Sequence, residues 1–171
     1  MQRMAEWMVG RDIRAFRWIN GACKCSFFEQ LMPVVTHLGG TVFSIGMSLV
    51  FLLQSDPYWR YEGVHLAISL LFSHLIVAAC KKLLPRHRPY QVLENVFTGR
   101  KLLTDASFPS GHSTAAFCSA TVLSIAFPVL SPGLYALAAL TASSRVYLGL
   151  HYPSDVAIGA VLGTAVPLWL A

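Results

Sequence analysis

The stretch ASFPSGHSTAAFCSATVLSIAFPVLSPGLYALAALTASS, Ala106–Ser144, runs for 39 residues without an Asp, Glu, Lys or Arg and is broken only by the turn-forming segment Pro128–Gly133. A helix that crosses a bilayer needs about 20 mostly apolar residues, so this run is long enough for two crossings joined by a turn. Further charge-free runs lie on either side: Met32–Leu53 with 22 residues, Gly63–Cys80 with 18 and Val156–Ala171 with 16. Together they predict five membrane spans at roughly 32–54, 63–84, 109–128, 133–150 and 153–171. Composition agrees, since 55% of the 171 residues are hydrophobic and 12% are charged, against about 25% charged in a soluble domain. So few charges exclude a soluble enzyme and a disordered chain. The net charge of +5 is split by long uncharged runs, which argues against nucleic acid as a partner. The expected architecture is all-α: a single polytopic membrane helical bundle over 1–171, with about five transmembrane helices in 32–171.

Residues 1–30 hold Arg3, Arg11, Arg14, Arg17 and Lys24 and no unbroken apolar core, which is unlike a secretory signal peptide. On a helical wheel Arg3, Glu6, Arg14 and Arg17 share one arc, and Ala5, Val9, Ile13 and Phe16 the opposite one. That is the pattern of an amphipathic helix lying in the membrane interface. The four cysteines form no zinc-type pairing. Cys80 and Cys118 fall inside spans, where Cys acts as a small hydrophobe.

Three polar clusters interrupt the apolar pattern. The first runs from Lys81 to Pro89, at the end of the second span. The second is Phe108-Pro109-Ser110-Gly111-His112, at the start of the third. The third joins Ser144-Arg145 to His151-Tyr152-Pro153-Ser154-Asp155 between the fourth and fifth. Alternation of the spans puts all three on one membrane face. Lys81, Arg88 and Arg145 have no obvious carboxylate nearby in sequence, Glu94 and Asp105 being the nearest acids outside the clusters. An excess of converging cations at a membrane surface points to an anionic ligand. Lys82, Arg86, Arg100 and Lys101 fit a role in lipid headgroup contact and topology equally well. Ser110 can cap a helix, Gly111 lets a ligand approach the backbone, and Pro153 suits a first helical position. Free N–H groups at such helix starts attract anions. His151 and Asp155 are four residues apart, so a helical turn brings the carboxylate back toward the imidazole, fixing its tautomer and leaving the other ring nitrogen as nucleophile or base. His37, His65 and His74 read as structural. Gly159 and Gly163 form a GxxxG pair that suits close helix packing.

At these residues the chain resembles the type-2 phosphatidic acid phosphatase superfamily. That family's pattern is Lys, six residues, Arg-Pro; then Pro-Ser-Gly-His; then Ser-Arg, five residues, His, three residues, Asp. Lys81…Arg88-Pro89, Pro109-Ser110-Gly111-His112 and Ser144-Arg145…His151…Asp155 match it at every position. The departure is at the N-terminus, where an interfacial helix stands in place of a first span. The resemblance implies a metal-independent lipid phosphatase, without cofactor, working through a phosphohistidine intermediate. In that scheme His151 attacks phosphorus and Asp155 orients it. His112 protonates the leaving group and then activates water. Lys81, Arg88, Ser110, Gly111 and Arg145 hold the phosphoryl oxygens. Phosphatidylglycerophosphate, phosphatidate and undecaprenyl diphosphate are the candidate substrates, and membrane lipids the other partners. Vanadate-dependent haloperoxidases share the pattern but are soluble. A non-catalytic protein that binds or carries anionic lipid would need the cations but not His112 or the His151–Asp155 pair. Twelve of the thirteen Lys and Arg residues lie on the cluster face, with Arg60 alone opposite. The positive-inside rule makes that face of the cell membrane cytoplasmic, whereas the resemblance implies an outward-facing site. The sequence specifies no oligomeric state.

Overall fold

The computed structural model describes residues 2–99 and 102–171, with residues 2–6 and 8 described by backbone alone. The side chains of Arg3, Ala5 and Glu6, and residues Arg100 and Lys101, therefore lie outside the described residues. Every regular element among those described is helical. The order is α1 (Gln2–Arg17), a π-helical turn (Trp18–Ala22), α2 (Ser26–Val35), a 3-10 turn (Thr36–Gly39), α3 (Thr41–Leu52), α4 (Pro57–Leu83), α5 (Pro89–Val92), α6 (Gly111–Ala126), a 3-10 turn (Pro128–Leu130), α7 (Ser131–Tyr147) and α8 (Pro153–Leu170).

Local chemistry sets the helix ends. Asp56 caps α4 by accepting the Tyr58 N–H at 2.9 Å, with Pro57 at the first helical position. Ser110 caps α6, its hydroxyl accepting the Ser113 N–H at 3.4 Å. Pro153 opens α8. The turn between α7 and α8 passes through Gly149 at φ +72°, where a side chain would be strained and would run into the Phe97 carbonyl.

Helices α4 and α8 are long and apolar enough to cross a membrane, and α2 and α3 count as a third crossing if the bent pair is one span. The predicted span 32–54 is thus not one straight helix. It begins at Ser26 and bends by 50° between Gly39 and Thr41, because Gly40 takes an extended conformation and Gly39 lies directly against the His112 backbone. Helices α6 and α7 match the predicted third and fourth spans in place, but have 16 and 17 residues, short of the usual ~20. The apolar surface of α4 and α8 is turned outward, at Leu71, Phe72, Leu75, Val161, Leu168 and Trp169.

The apolar arc of α1 does not simply face a membrane interface. Phe16 is 1% exposed, 5.7 Å from the Tyr152 ring and packed in one cluster with Val146 and, partly buried, Ile13. The C-terminal half of the arc therefore docks onto the bundle, while Trp7, Val9 and Trp18 stay exposed. Trp59 stacks between Phe51 and Phe127 at 5.6 and 5.2 Å.

The closest helix pairing is α6 against α8. Lipid tails are as apolar as Leu, so helices in a bilayer gain contact chiefly from small residues that let backbones approach. A Cβ at Gly159 would lie 2.6 Å from the Ser110 carbonyl oxygen, and one at Gly163 would meet the Thr114 carbonyl and the Cys118 amide. The obstructing atoms are backbone and cannot swing away. Gly163→Val is therefore expected to destabilise the protein by about 1–3 kcal/mol, read as a lower melting temperature in detergent. Gly46→Ala, where a Cβ meets nothing within 4 Å, is expected to leave it unchanged.

Candidate active site

The three clusters meet at one end of the bundle. Lys81 stands in the last turn of α4, Arg88 immediately precedes α5, and Ser110 caps α6. Arg145 stands in the last turn of α7, His151 in the following turn and Asp155 in the first turn of α8. The Ser110 N–H donates to the Asp155 carbonyl at 3.0 Å, joining the starts of α6 and α8.

Arg88 is fully buried. Its Nε donates to the Asp105 carbonyl at 2.8 Å and its Nη2 to Asp105 Oδ1 at 2.8 Å and the Ala106 carbonyl at 3.3 Å. Its Nη1 donates to the Leu150 carbonyl at 2.8 Å and lies 3.1 Å from His151 Nε2. A guanidinium has no acceptor, so His151 Nε2 carries the lone pair and Nδ1 carries the hydrogen. Nδ1 faces Asp155 Oδ2 at 3.6 Å and Ser107 Oγ at 3.4 Å. Ser107 in turn donates to Asp155 Oδ2 at 2.5 Å. The four-residue spacing thus brings the carboxylate to the imidazole, with the Ser107 hydroxyl bridging the pair. Burial pushes the His151 imidazole down to about 4; the Asp155 carboxylate beside it opposes this, while Arg145 and Arg88 add to it. The ring is neutral at physiological pH.

Arg145 is also buried. Its Nη1 donates to Thr36 Oγ1 at 2.7 Å, and its Nε has no partner among the described residues. His112, on the first turn of α6, makes no side-chain hydrogen bond among them and lies within electrostatic reach of Arg145 and His151. A Cβ at Gly111 would meet only Val77, at 3.9 Å, so packing does not demand glycine there and the space before the helix start is open.

Two readings from sequence need correction. Lys81 and Arg88 do have a carboxylate partner, since Asp105 bridges them with its two oxygens. Arg86 is no headgroup contact: it pairs with Asp155 and Asp12, each at 2.7 Å. Ser107, Asp105, Thr36, Arg86 and Asp12 belong to the site and were not singled out as such. Asp12, a lone acid among Arg11, Arg14 and Arg17, and Asp105, one of the acids nearest the clusters, carried a visible signal. His65 and His74 are structural as expected, bonded to the Pro167 carbonyl at 3.1 Å and the Leu70 carbonyl at 2.9 Å.

Burial works to raise the Asp105 carboxyl, but Lys81 and Arg88 outweigh it and hold the group below the ordinary carboxylate range. Its contribution to stability is thus fully present above the unfolded value of about 3.9 and is lost as pH falls through the lower folded value. With 55% of its side chain exposed, that contribution is at most about 1 kcal/mol. Melting temperature followed from about pH 6 down to about pH 3 is expected to fall less steeply in Asp105→Asn than in the parent chain.

Decaprenylphosphoryl-5-phosphoribose phosphatase of Mycobacterium tuberculosis is 36% identical over 112 residues, which are 64% of this chain and 60% of that protein. The chain thus spans about 60% of the length of that relative. An undecaprenyl-diphosphatase of Sulfolobus acidocaldarius is 27% identical over 160 residues, 93% of this chain and 76% of that one. The crystal structure of Aquifex aeolicus LpxE has the same fold, with a TM-score of 0.83 at 25% identity over 92% of both chains. The family model for the PAP2 superfamily matches residues 62–171, which contain all three motif blocks, and the chain belongs to that superfamily.

Proposed function

We propose that the chain is a single-domain membrane phosphatase that releases phosphate from a lipid phosphate ester or diphosphate through a phosphohistidine on His151. The observation that carries this reading is the setting of His151: a buried ring with Nε2 facing the Arg88 guanidinium and Nδ1 facing Ser107 and Asp155. That is the arrangement of a nucleophile steadied from behind and set beside fixed positive charge.

The substrate phosphoryl group takes the place of the Asp105 carboxylate between Lys81 and Arg88, and Arg88 Nη1 exchanges Nε2 for a phosphoryl oxygen. Arg145, with its unused Nε, and the α6 start at Ser110 and Gly111 bind the remaining oxygens. The Nε2 lone pair forms the N–P bond as the bond from phosphorus to the leaving oxygen breaks, and His112 delivers a proton to that oxygen. Water then attacks phosphorus, giving its proton to His112, and the N–P bond breaks to release inorganic phosphate and restore Nε2. Phosphoryl transfer rests on positioning and charge stabilisation of this kind.

Five crossings complete the reading, with α6 and α7 extended by their flanking segments. The site lies at the membrane surface on which α1 rests. The relatives named for polyprenyl-linked substrates favour undecaprenyl diphosphate, ahead of phosphatidate and phosphatidylglycerophosphate.

The test is phosphate release from these three lipids by the chain purified in detergent with EDTA. Release is expected, falling by about 10³-fold or more in His151→Ala and in His112→Ala. Quenching with alkaline denaturant, in which an N–P bond survives, is expected with labelled substrate to trap phosphate on the parent protein and none on His151→Ala. Unchanged release in both variants would discard the mechanism. Binding of lipid without release would favour an anionic-lipid carrier.

A further inference from the structure

The proposed mechanism leaves one partly buried ion-pair network unused, on the far side of Asp155 from His151. Asp155 is fully buried and its two oxygens are held separately. Oδ1 accepts from Arg86 Nη1 at 2.7 Å. Oδ2 accepts from Ser107 Oγ at 2.5 Å and from the Tyr152 N–H at 2.9 Å. Arg86 governs both sides, because its own carbonyl accepts the Ser107 N–H at 2.8 Å and so fixes the residue that bridges His151 and Asp155. Arg86 is itself held from the N-terminal helix. Its Nη2 donates to Asp12 Oδ2 at 2.7 Å, its guanidinium lies 3.9 Å over the Tyr152 ring, and Nη1 also reaches Ser154 Oγ at 2.8 Å. Asp12 accepts from the Ser154 N–H at 3.0 Å and from its hydroxyl at 2.5 Å, which pins the start of α8 to α1.

We infer that Arg86 is a positioning residue for the His151–Asp155 pair, with Asp12 of α1 as its anchor, so that the N-terminal helix forms part of the nucleophile's scaffold. The inference rests on the role proposed for His151. Its physical basis is charge compensation. A carboxylate out of water attracts a proton onto any base beside it unless a cation offsets its charge. The groups facing His151 are Arg88 at the start of α5, His112 on α6, Arg145 on α7, Asp155 on α8 and the neutral Ser107. The groups facing Arg86 are Asp12, Asp155 and the Tyr152 ring. Removing the Arg86 charge leaves Asp155 uncompensated, favours the imidazolium of His151 and fills the lone pair that must attack.

The test is titration of His151 by ¹⁵N NMR in the detergent-solubilised full chain labelled at histidine, assigned with His151→Ala. Arg86→Gln is expected to raise the His151 midpoint by about 1 unit. Arg86→Lys, which restores the charge, is expected to return it to within a few tenths of the parent value. Asp12→Ala, which loosens Arg86 without deleting it, is expected to move it the same way by less. On a water-soluble phosphate ester, Arg86→Gln and Asp12→Ala are expected to lower kcat by about 10-fold or more at unchanged KM, as loss of a supporting hydrogen-bond partner does elsewhere. An unmoved midpoint in Arg86→Gln overturns the inference. If that variant does not fold, an unmoved midpoint in Asp12→Ala does so. The titration needs no turnover, so a parent protein that releases no phosphate would reject the proposed function without deciding this point.

Discussion

A guanidinium with no exposure to water is the constraint from which the site is built. Arg88 cannot shed its proton, and a buried charge is tolerated only when its donors are matched. The matching groups come from the loop at Asp105 and Ala106, from the carbonyl of Leu150, and from His151 itself. Segments far apart in the chain are thereby committed to one arrangement. The same contact that solvates Arg88 decides which nitrogen of His151 is free.

Around that centre the protein alternates two kinds of contact. Charged and hydroxyl side chains join the helix ends at the surface, where dipoles and free amides are available. Lower down, glycine and alanine let α6 lie against α8 and α7, with Ala116, Ala120 and Ala138 in one buried cluster. Tight backbone approach below keeps the helix starts close above, and that closeness is what places the Ser110 amide on the Asp155 carbonyl. Asn20 adds a lateral tie, donating to the carbonyls of Phe97 and Tyr147 at 2.8 Å each and accepting the Phe97 N–H at 3.0 Å.

The helical class and the residues at the site's centre were legible because each left a local mark. Charge-free length marks α4 and α8, and fixed spacing links His151 to Asp155 and Lys81 to Arg88. The bend at Gly39–Gly40 was hidden inside an uncharged run, since composition alone does not distinguish a straight apolar helix from a broken one. The supporting residues were hidden for a different reason. Asp12 and Arg86 are 74 positions apart, Thr36 and Arg145 are 109 apart, and no periodicity relates such pairs. Their partnership exists only once the bundle has closed. Asp105 sat in plain view as the nearest acid, but that it bridges two cations depends on where the 93–110 connection folds back.

The elbow between α2 and α3 has a consequence for how this scaffold tolerates variation. Thr36, which holds Arg145, and Gly39, which lies under His112, both sit before the bend. The apolar rod after it, Thr41–Leu52, contributes no hydrogen bond to the site among the described residues. Outward-facing side chains of that rod, such as Val42, Ile45 and Val50, can thus be exchanged to suit the bilayer, while Gly63 against Phe51 and Leu52 holds its register on α4. The joint separates the part of the chain that fits the solvent of the membrane from the part that must not drift.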